Sequence, residues 1–378
     1  MTMSMVWRMD TRPPPPPIPT GRQVRPITLA LEGGGALGAF TWGVLERLLD
    51  ETSLRIEVVS GTSAGAMNGA MLVQGLAEGG PARAQALLAT FWQRVSISAG
   101  SLPGPSGAWL QMIAESMAPM LDAVRKAGSA MGAHVGAFGL NPLRGILSEL
   151  LHTPLFGQEG APELVVAATK VRTGEAKLFR GGDVSLDALL ASGCLPQVFP
   201  AIEIDGEAYW DGGYSSNPPV RPLIEAGCPG DVLIVRTTPS ERHMMPHGAA
   251  AVKDRVNEIT FGSPLRAELR SLALAQASLS EMAALTPALT RLRDARLHMI
   301  SPAGADEAAA SETLQPSWPL FSEQRRRGAA AAERWLEANL AAVGHRSSLP
   351  MNEFTGRETG ATGAPRSTRR LEEATHAT

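Results

Sequence analysis

The stretch Gly61-Thr62-Ser63-Ala64-Gly65 decides the fold of this chain. It lies between an apolar, β-branched run that predicts a strand, residues 56–60, and a run that predicts a helix, residues 66–73. A Gly-x-Ser-x-Gly turn between a strand and a helix is the pattern of a nucleophile elbow. Both glycines are needed because side chains at these positions would be crowded. The pattern predicts that Ser63 projects at a sheet edge, beside the positive end of a helix dipole.

Another strand and helix precede this turn. Residues 27–31 predict a buried strand, and the amphipathic spacing of residues 36–50 predicts a helix. The loop Glu32-Gly33-Gly34-Gly35 joins them. The order βαβα implies a parallel sheet with right-handed crossovers. The carboxyl ends of parallel strands share one edge, so we expect the glycine loop and the elbow to meet there.

A third turn, Asp211-Gly212-Gly213, carries a candidate base. It follows a hairpin predicted by Asp205-Gly206 between two short strand-like runs, residues 201–204 and 207–210. Apolar surroundings raise the pKa of a carboxyl group, which makes Asp211 a better base if it is buried beside a serine. Because this turn follows a hairpin, the pattern alone leaves its position relative to the other two loops open.

Together the three turns predict the chemistry of acyl transfer. The Ser63 hydroxyl needs a base to take its proton, and Asp211 is the candidate. The tetrahedral intermediate needs N–H donors, which the glycine loop supplies where it opens a helix. By analogy with other elbows, the N–H of Ala64 is a further donor.

These motifs, in this order and spacing, resemble the patatin-like phospholipase family. The run from Ala191 to Pro200 and the pair Asn217-Pro218 are also similar to that family, and the likeness covers residues 27–236. The resemblance implies a three-layer α/β/α fold with a central, mostly parallel sheet. It also implies lipid acyl hydrolysis by a Ser-Asp dyad, with no metal and no cofactor.

The resemblance also assigns roles residue by residue. Ser63 would be the nucleophile and Asp211 the base. The oxyanion hole would be formed by the loop and by the residue after the nucleophile, namely Gly33, Gly34, Gly35, Ala36, Leu37, Gly38 and Ala64. The elbow glycines would be Gly61 and Gly65, and the turn of the base would include Gly212 and Gly213. Leu37 departs from the Arg or Lys that the family often has there, which favours a neutral ester over an anionic phospholipid.

Three other interpretations compete with the dyad. Gly33-x-Gly35-x-x-Gly38 matches a dinucleotide fingerprint, but the second strand lacks the acidic residue that would hold a ribose. A Ser-Asp-His triad would need His243, His247 or His298, none of which has an elbow-like context. A non-catalytic lipid- or partner-binding protein on the same scaffold is the alternative from another class. Retention of both Ser63 and Asp211 argues against it.

The sequence predicts four segments. We expect a disordered Pro-rich arm over residues 1–24, a catalytic domain over 25–238, a mostly helical extension packed on it over 239–345, and a disordered tail over 346–378. The role of residues 240–345 is not given by the sequence. Residues 107–138 are rich in methionine and predict either a core helix, which we favour, or a lid over an acyl-chain groove.

The overall composition limits the kinds of partner that we expect this protein to bind. The chain has 378 residues, a net charge of −3 and two cysteines, Cys194 and Cys228. These values argue against nucleic acid binding and against a disulfide scaffold or a metal site. We expect a cytoplasmic protein without a membrane-spanning helix, with a lipid or small ester as substrate and peripheral membrane contact left open. The basic run Arg325 to Arg327 is interpreted as a solvated helix face rather than a lipid contact. Oligomeric state and the identity of the ester are not predicted.

Overall fold

The computed structural model describes residues 24–100, 141–196, 199–239, 245–302 and 316–355. The strands are β1 Arg25–Leu31, β2 Leu54–Thr62, β3 Glu163–Lys170, β4 Ala176–Arg180, β5 Ile202–Ile204, β6 Glu207–Asp211, β7 Asp231–Val235 and β8 Arg296–Ile300. The helices of the described residues are α1 Ala39–Leu49, α2 Ala64–Gly79, α3 Pro81–Gly100, α4 Pro142–Leu150, α5 Leu186–Ser192, α6 Arg221–Ala226, α7 Ala249–Leu279, α8 Pro287–Asp294 and α9 Trp318–Asn339. None of these helices is long and apolar enough to cross a bilayer. The predicted arm 1–24, apart from its last residue, and residues 107–138, predicted as a core helix or a lid, lie outside the described residues.

One sheet organises the chain. Its strands run in the order β5-β6-β3-β2-β1-β7-β8, and β4 pairs with β3 on the edge opposite β6. The pairs β1–β2, β1–β7, β2–β3 and β7–β8 are parallel, and β4 and β6 run antiparallel to β3. The βαβα start and the Asp205-Gly206 hairpin are thus confirmed. The central sheet is mostly parallel, as predicted.

Both faces of the sheet are covered by helices. Alternate residues of β1 and β7 face opposite layers, because side chains alternate along a strand. Leu29 and Leu31 pack with α1, α2, α3 and α9, whereas Ala30 and Ile234 pack with α6, α7 and α8. The result is the predicted arrangement of helices, sheet and helices, with a core on each side of the sheet.

Strand register places the third turn beside the first two. On one edge of β3, Thr62 of β2 pairs with Ala167. Asp211 of β6 pairs with the next residue, Ala168, on this same edge, because β4 occupies the opposite edge over residues 165–169. Ser63, which follows Thr62, and Asp211 are therefore neighbours along one edge of β3, where β2 ends and β6 ends. The antiparallel hairpin brings the carboxyl group to the edge where the parallel strands end, and this settles the position that the sequence left open.

The C-terminal extension is built into the fold through α9. It packs against α1 so closely that a Cβ atom on Gly43 would collide with the carbonyl oxygen of Arg325. A Cβ atom on Gly328 would likewise collide with the carbonyl oxygen of Phe40. Arg325 also forms hydrogen bonds of 2.6 Å to the carboxyl group of Glu46. The close approach of the two helix backbones therefore depends on glycine at both positions.

The tail beyond His345 is partly ordered, so the prediction of disorder over 346–378 is wrong for residues 346–355. The N–H groups of Ser348 and Leu349 donate to the carbonyl oxygen of Leu297, at 3.1 and 3.0 Å. The Ser347 hydroxyl accepts the Leu297 N–H at 3.0 Å. This segment pairs with the backbone of β8, a contact that its polar composition does not reveal.

Candidate active site

Ser63 sits at a strained turn between β2 and α2. Its φ of 53° and ψ of −123° are unusual for a residue with a side chain. A Cβ atom on Gly61 would lie 2.5 Å from the carbonyl carbon of Gly65, and one on Gly65 would collide with the carbonyl oxygen of Leu31. The elbow thus needs glycine at both positions because of space. It leaves Ser63 half-buried at the start of a helix.

Asp211 is buried beside this serine. Its side chain is 1% exposed, and its Oδ1 accepts the N–H of Gly213 at 2.8 Å. Burial raises the pKa of Asp211 to about 7, against smaller lowering effects from the Gly213 N–H and the Ser63 hydroxyl. The lowering effect of Ser63 comes from a side-chain hydrogen bond, so its hydroxyl lies within reach of the Asp211 carboxyl group. The structure therefore brings the predicted pair together.

The glycine loop lies against the elbow. A Cβ atom on Gly33 would be 2.8 Å from the Cβ of Ser63, and one on Gly38 would be 2.6 Å from the Cβ of Ala64. Gly35 has a φ of 55°, and nothing lies within 4 Å of the position that its Cβ would take. The loop therefore borders the serine closely and is open at Gly35.

The loop's N–H groups divide into bonded and unbonded donors. The Gly33 N–H donates to Oδ1 of Asn217 at 2.7 Å, and the Leu37 N–H donates to the carbonyl oxygen of Gly34 at 3.1 Å. No acceptor among the described residues is recorded for the N–H groups of Gly34, Gly35 and Ala36 or for that of Ala64. Of the predicted donors, Gly33 and Leu37 are thus engaged within the protein.

Two side chains that the sequence did not single out support the site. The Ser63 N–H donates to Oγ of Ser192, which is fully buried, at 2.8 Å. Asn217 accepts from Gly33 N–H, and its Nδ2 donates to the carbonyl oxygens of Gly33 at 3.4 Å and of Phe261 at 3.1 Å. Both residues lie in the family-like runs 191–200 and 217–218, which were the signal for them.

A buried ion pair anchors the start of the glycine loop. Glu32 is 1% exposed and lies 3.6 Å from Arg236. Burial raises the pKa of Glu32, while Arg236 and hydrogen bonds from Thr237 and Thr238 lower it. The Thr237 N–H donates to Glu32 Oε2 at 2.6 Å. This network fixes the end of β1 to the end of β7, immediately before Gly33.

His298 does not take part in this site. It lies on β8 and is 1% exposed, with its Nε2 3.1 Å from Oδ1 of Asp231 and its Nδ1 2.9 Å from Oγ of Ser348. Asp231 begins β7, so the cluster is near the amino ends of the strands, whereas Ser63 follows the carboxyl end of β2. His247 is exposed, and His243 lies outside the described residues. Within the described parts of the chain, no group of three His, Cys, Asp or Glu side chains is arranged to hold a metal ion.

The two cysteines are not part of this chemistry. Cys194 is buried, its Sγ lies 3.1 Å from the carbonyl oxygen of Pro200, and burial raises its pKa to about 12. Burial also raises the pKa of Cys228. Both thiols are therefore in their neutral form near pH 7, and Cys194 packs as a small apolar residue.

Fold and site together define the class of protein: a three-layer α/β protein with a serine, a buried aspartate and a glycine loop at the carboxyl edge of a parallel sheet. A family model described as "Patatin-like phospholipase" matches residues 29–224, just over half of the chain. The chain belongs to this family, whose description places it among the lipid acyl hydrolases.

Two solved structures match this chain at low identity and low TM-score. VipD from Legionella pneumophila shares 16% identity over 83% of this chain and 67% of its own, with a TM-score of 0.37. The ExoU–SpcU complex of the type III secretion system of Pseudomonas aeruginosa contains a chain with 16% identity over 88% of this chain and 74% of its own, with a TM-score of 0.26. No curated protein matches the chain.

Proposed function

We propose that this chain is a serine acyl hydrolase that cleaves carboxylic ester bonds in lipids, with Ser63 as nucleophile and Asp211 as its base. One observation carries the proposal: a serine at a strained strand-to-helix turn lies beside a buried carboxyl group with a pKa of about 7. An ordinary aspartate, with a pKa of about 4, is a weak base in water. A pKa near 7 makes proton transfer from serine more favourable while keeping much of the group ionised.

Acylation follows from this arrangement. As Oγ of Ser63 forms a bond to the ester carbonyl carbon, the hydroxyl proton moves to the Asp211 carboxylate and the carbonyl electron pair moves to oxygen. Collapse of this intermediate breaks the bond to the alcohol, which takes the proton from Asp211. In deacylation, water gives its proton to Asp211 and its oxygen attacks the acyl carbon. Ser63 then leaves with that proton, and a carboxylic acid is released.

The oxyanion of each intermediate needs preorganised donors. We assign this role to the N–H groups of Gly34, Gly35, Ala36 and Ala64, because those of Gly33 and Leu37 already have acceptors. The start of α2 adds the positive end of its dipole behind Ala64. Gly38 then serves the site through its close packing against Ala64. Loss of one oxyanion donor typically lowers kcat by about 10²–10³.

A pair of variants with matched controls tests the proposal. Ser63→Ala and Asp211→Asn should each abolish hydrolysis of p-nitrophenyl butyrate, with circular dichroism unchanged. The controls are Ser148→Ala on the exposed face of α4 and Asp205→Asn in the exposed Asp-Gly hairpin turn, and both should retain full activity. Full activity in either of the first two variants would reject the proposed roles.

The non-catalytic alternative makes a different prediction for the same protein. A binding protein on this scaffold would leave every ester in a panel of phospholipids, lysophospholipids, glycerides and short esters intact, although the fold is retained. An acyl hydrolase would release carboxylic acid from at least one class. The apolar Leu37 in the glycine loop favours neutral esters, so we expect glycerides and short esters to react before anionic phospholipids.

A further inference from the structure

The first half of α7 carries an exposed apolar stripe. Val252, Val256 and Ile259 are 46%, 54% and 45% exposed, and their spacing of four and three residues places them on one face of the helix. Met245, just before the helix, is 76% exposed. Scattered apolar side chains on a surface are normal, but a row of large ones on one face indicates a binding surface.

The most exposed charged side chains around this stripe are all basic. Over the described residues 245–270, the exposed lysine and arginine side chains are Lys253, Arg266 and Arg270, and no acidic side chain is exposed to the same degree. Glu258 pairs with Arg255 at 3.1 Å. Glu268 faces inward and accepts from the backbone of residues 220 and 221. The solvent-facing side of this segment is therefore apolar and basic.

Arg266 on this helix lies close enough to interact with the ion pair of Arg236 and Glu32, whose charges offset each other. The pKa of Arg266 is lowered first by partial burial and then by Arg236 and Arg255, while Glu32 opposes the effect. Arg236 is the residue that pairs with Glu32 at the base of the loop. Arg266 also donates to the carbonyl oxygen of Ile259 at 3.2 Å, so this basic side chain lies next to the apolar stripe.

The helix is firmly attached to the turn of Asp211. The ring of Phe261 packs against that of Tyr214, with 4.9 Å between centroids, and covers Gly213. The Phe261 carbonyl oxygen accepts from Asn217 at 3.1 Å. Ile259, the last residue of the stripe, is two positions from Phe261 and points to the opposite, solvent-facing side of the same helical turn.

We propose that this apolar and basic face of α7 docks the protein onto an anionic lipid bilayer, beside the Ser63–Asp211 site. The choice of partner rests on the proposed lipid acyl hydrolase function. Branched apolar side chains enter the boundary between headgroups and acyl chains, and nearby Lys and Arg side chains attract anionic headgroups. The basic run at 325–327 fits this role less well, because Arg325 pairs with Glu46 and both Arg326 and Arg327 pair with Glu323.

Vesicle sedimentation tests the docking face. Full-length Ser63→Ala protein, which we expect to leave the lipid intact, is mixed with phosphatidylcholine vesicles with or without phosphatidylglycerol. Binding should be roughly tenfold or more tighter with phosphatidylglycerol present. Val256→Asp with Ile259→Asp should reduce binding to those vesicles by about tenfold or more. Lys253→Gln with Arg270→Gln should remove the preference for the anionic lipid.

The matched control is Met282→Asp, which charges a residue 48% exposed beyond the far end of the same helix. Met282 lies more than about 30 Å along the axis from Ile259, and its variant should bind like the parent. The proposal is overturned if the parent does not sediment with anionic vesicles or if Val256→Asp with Ile259→Asp binds them as tightly as the parent. It is also overturned if Met282→Asp reduces vesicle binding as much as the stripe variant does. If the parent instead forms a concentration-dependent dimer and does not bind vesicles, and Val256→Asp with Ile259→Asp makes it monomeric, the stripe is a dimer interface and not a membrane-binding face.

Hydrolysis of a soluble substrate distinguishes failure of the docking proposal from failure of the proposed function. With Ser63 intact, the stripe variant should hydrolyse p-nitrophenyl butyrate at the parent rate, because none of its changes touches the dyad or the loop. Vesicle binding without any ester hydrolysis would reject the enzyme and keep the docking face. Hydrolysis without vesicle binding would reject the docking face and keep the proposed enzyme.

Discussion

At the scale of the residue, two buried aspartates show how surroundings decide the behaviour of a carboxyl group. Burial raises the pKa of Asp211 to about 7, because only weak partners oppose it. Burial also raises that of Asp231, but hydrogen bonds from His298, Arg296 and Gly344 outweigh it and bring the pKa to about 2. The first carboxyl group is suited to exchange a proton near neutral pH, and the second is a fixed anion that holds structure together.

The pH dependence of activity should report Asp211. Only its ionised form accepts the serine proton, so kcat/KM for a soluble ester should rise with pH and level off above about 7. The measurement is a pH profile of initial rates with p-nitrophenyl butyrate, corrected for spontaneous hydrolysis. A rate that is constant from about pH 5 to pH 8 would show that a group with an ordinary aspartate pKa, or none, controls the reaction.

The same shift predicts a stability effect with a definite sign. The folded pKa of Asp211 lies above its ordinary value of 3.8, so its contribution to stability is complete below about pH 4 and is lost as pH rises through about 7. Asp211→Asn cannot ionise, and at pH 8 it should be more stable than the wild type, by at most about 4 kcal/mol. Urea unfolding of both proteins at pH 5 and pH 8 measures this. Equal stability at both pH values would mean that the carboxyl group pays no burial penalty.

Asn217 should act as a positioning residue for the oxyanion loop. It holds both the N–H and the carbonyl oxygen of Gly33, one residue before the first proposed donor. Asn217→Ala should lower kcat for the soluble ester by about 10–100-fold, below the full loss of a donor. KM and the midpoint of the pH profile should stay unchanged, because the base is untouched. A shifted midpoint would show instead that Asn217 acts through Asp211.

At the scale of the element, one of the contacts that join the C-terminal extension to the rest of the fold is the tight helix pair of α1 and α9. The backbones of α1 and α9 approach most closely where Gly43 and Gly328 face the opposite helix. Gly38 and the glycine loop lead directly into α1. The extension therefore supports the helix that follows the proposed oxyanion loop. A substitution that weakens the α1–α9 contact should also disturb the geometry of that loop.

A substitution in this contact should destabilise the protein. Gly328→Ala forces α9 away from the carbonyl oxygen of Phe40 and should reduce the free energy of unfolding by about 1–3 kcal/mol. The matched control is Gly145→Ala in α4, where nothing lies within 4 Å of the new Cβ and helix propensity alone should stabilise by up to about 1 kcal/mol. Thermal or urea unfolding compares the two. Similar effects in both variants would contradict the tight α1–α9 packing.

At the scale of the whole molecule, the sequence predicted the features that depend only on residues close together in the chain. The elbow, the parallel βαβα start and the Asp205-Gly206 hairpin were predicted because their patterns are local. Asp211 could be named as a candidate base from its own turn, but its position next to Ser63 could not be predicted, because it depends on the register of β3 with two partners. Asn217 and Ser192 received no role, because their contacts join residues 184 and 129 positions apart. No local pattern encodes such contacts.

The order of the tail also depends on long-range contacts that no local pattern encodes, and these contacts should stabilise the protein. Residues 344–349 are held by Asp231, His298 and the backbone of Leu297. A chain ending at residue 343 should therefore unfold at lower temperature than the full chain, whereas one ending at 355 should keep the described contacts and unfold like the full chain. Differential scanning calorimetry of the three proteins measures this. Equal transitions for all three would show that the tail contacts add nothing to stability.

The central claim is that Ser63 is a nucleophile activated by Asp211. The most direct test is the rate at which a fluorophosphonate probe labels the full-length protein, with the modified residue located by mass spectrometry. The account predicts labelling at Ser63 alone, and labelling slowed by at least about 100-fold in Asp211→Asn. Labelling of another residue, or an unchanged rate in Asp211→Asn, would contradict it.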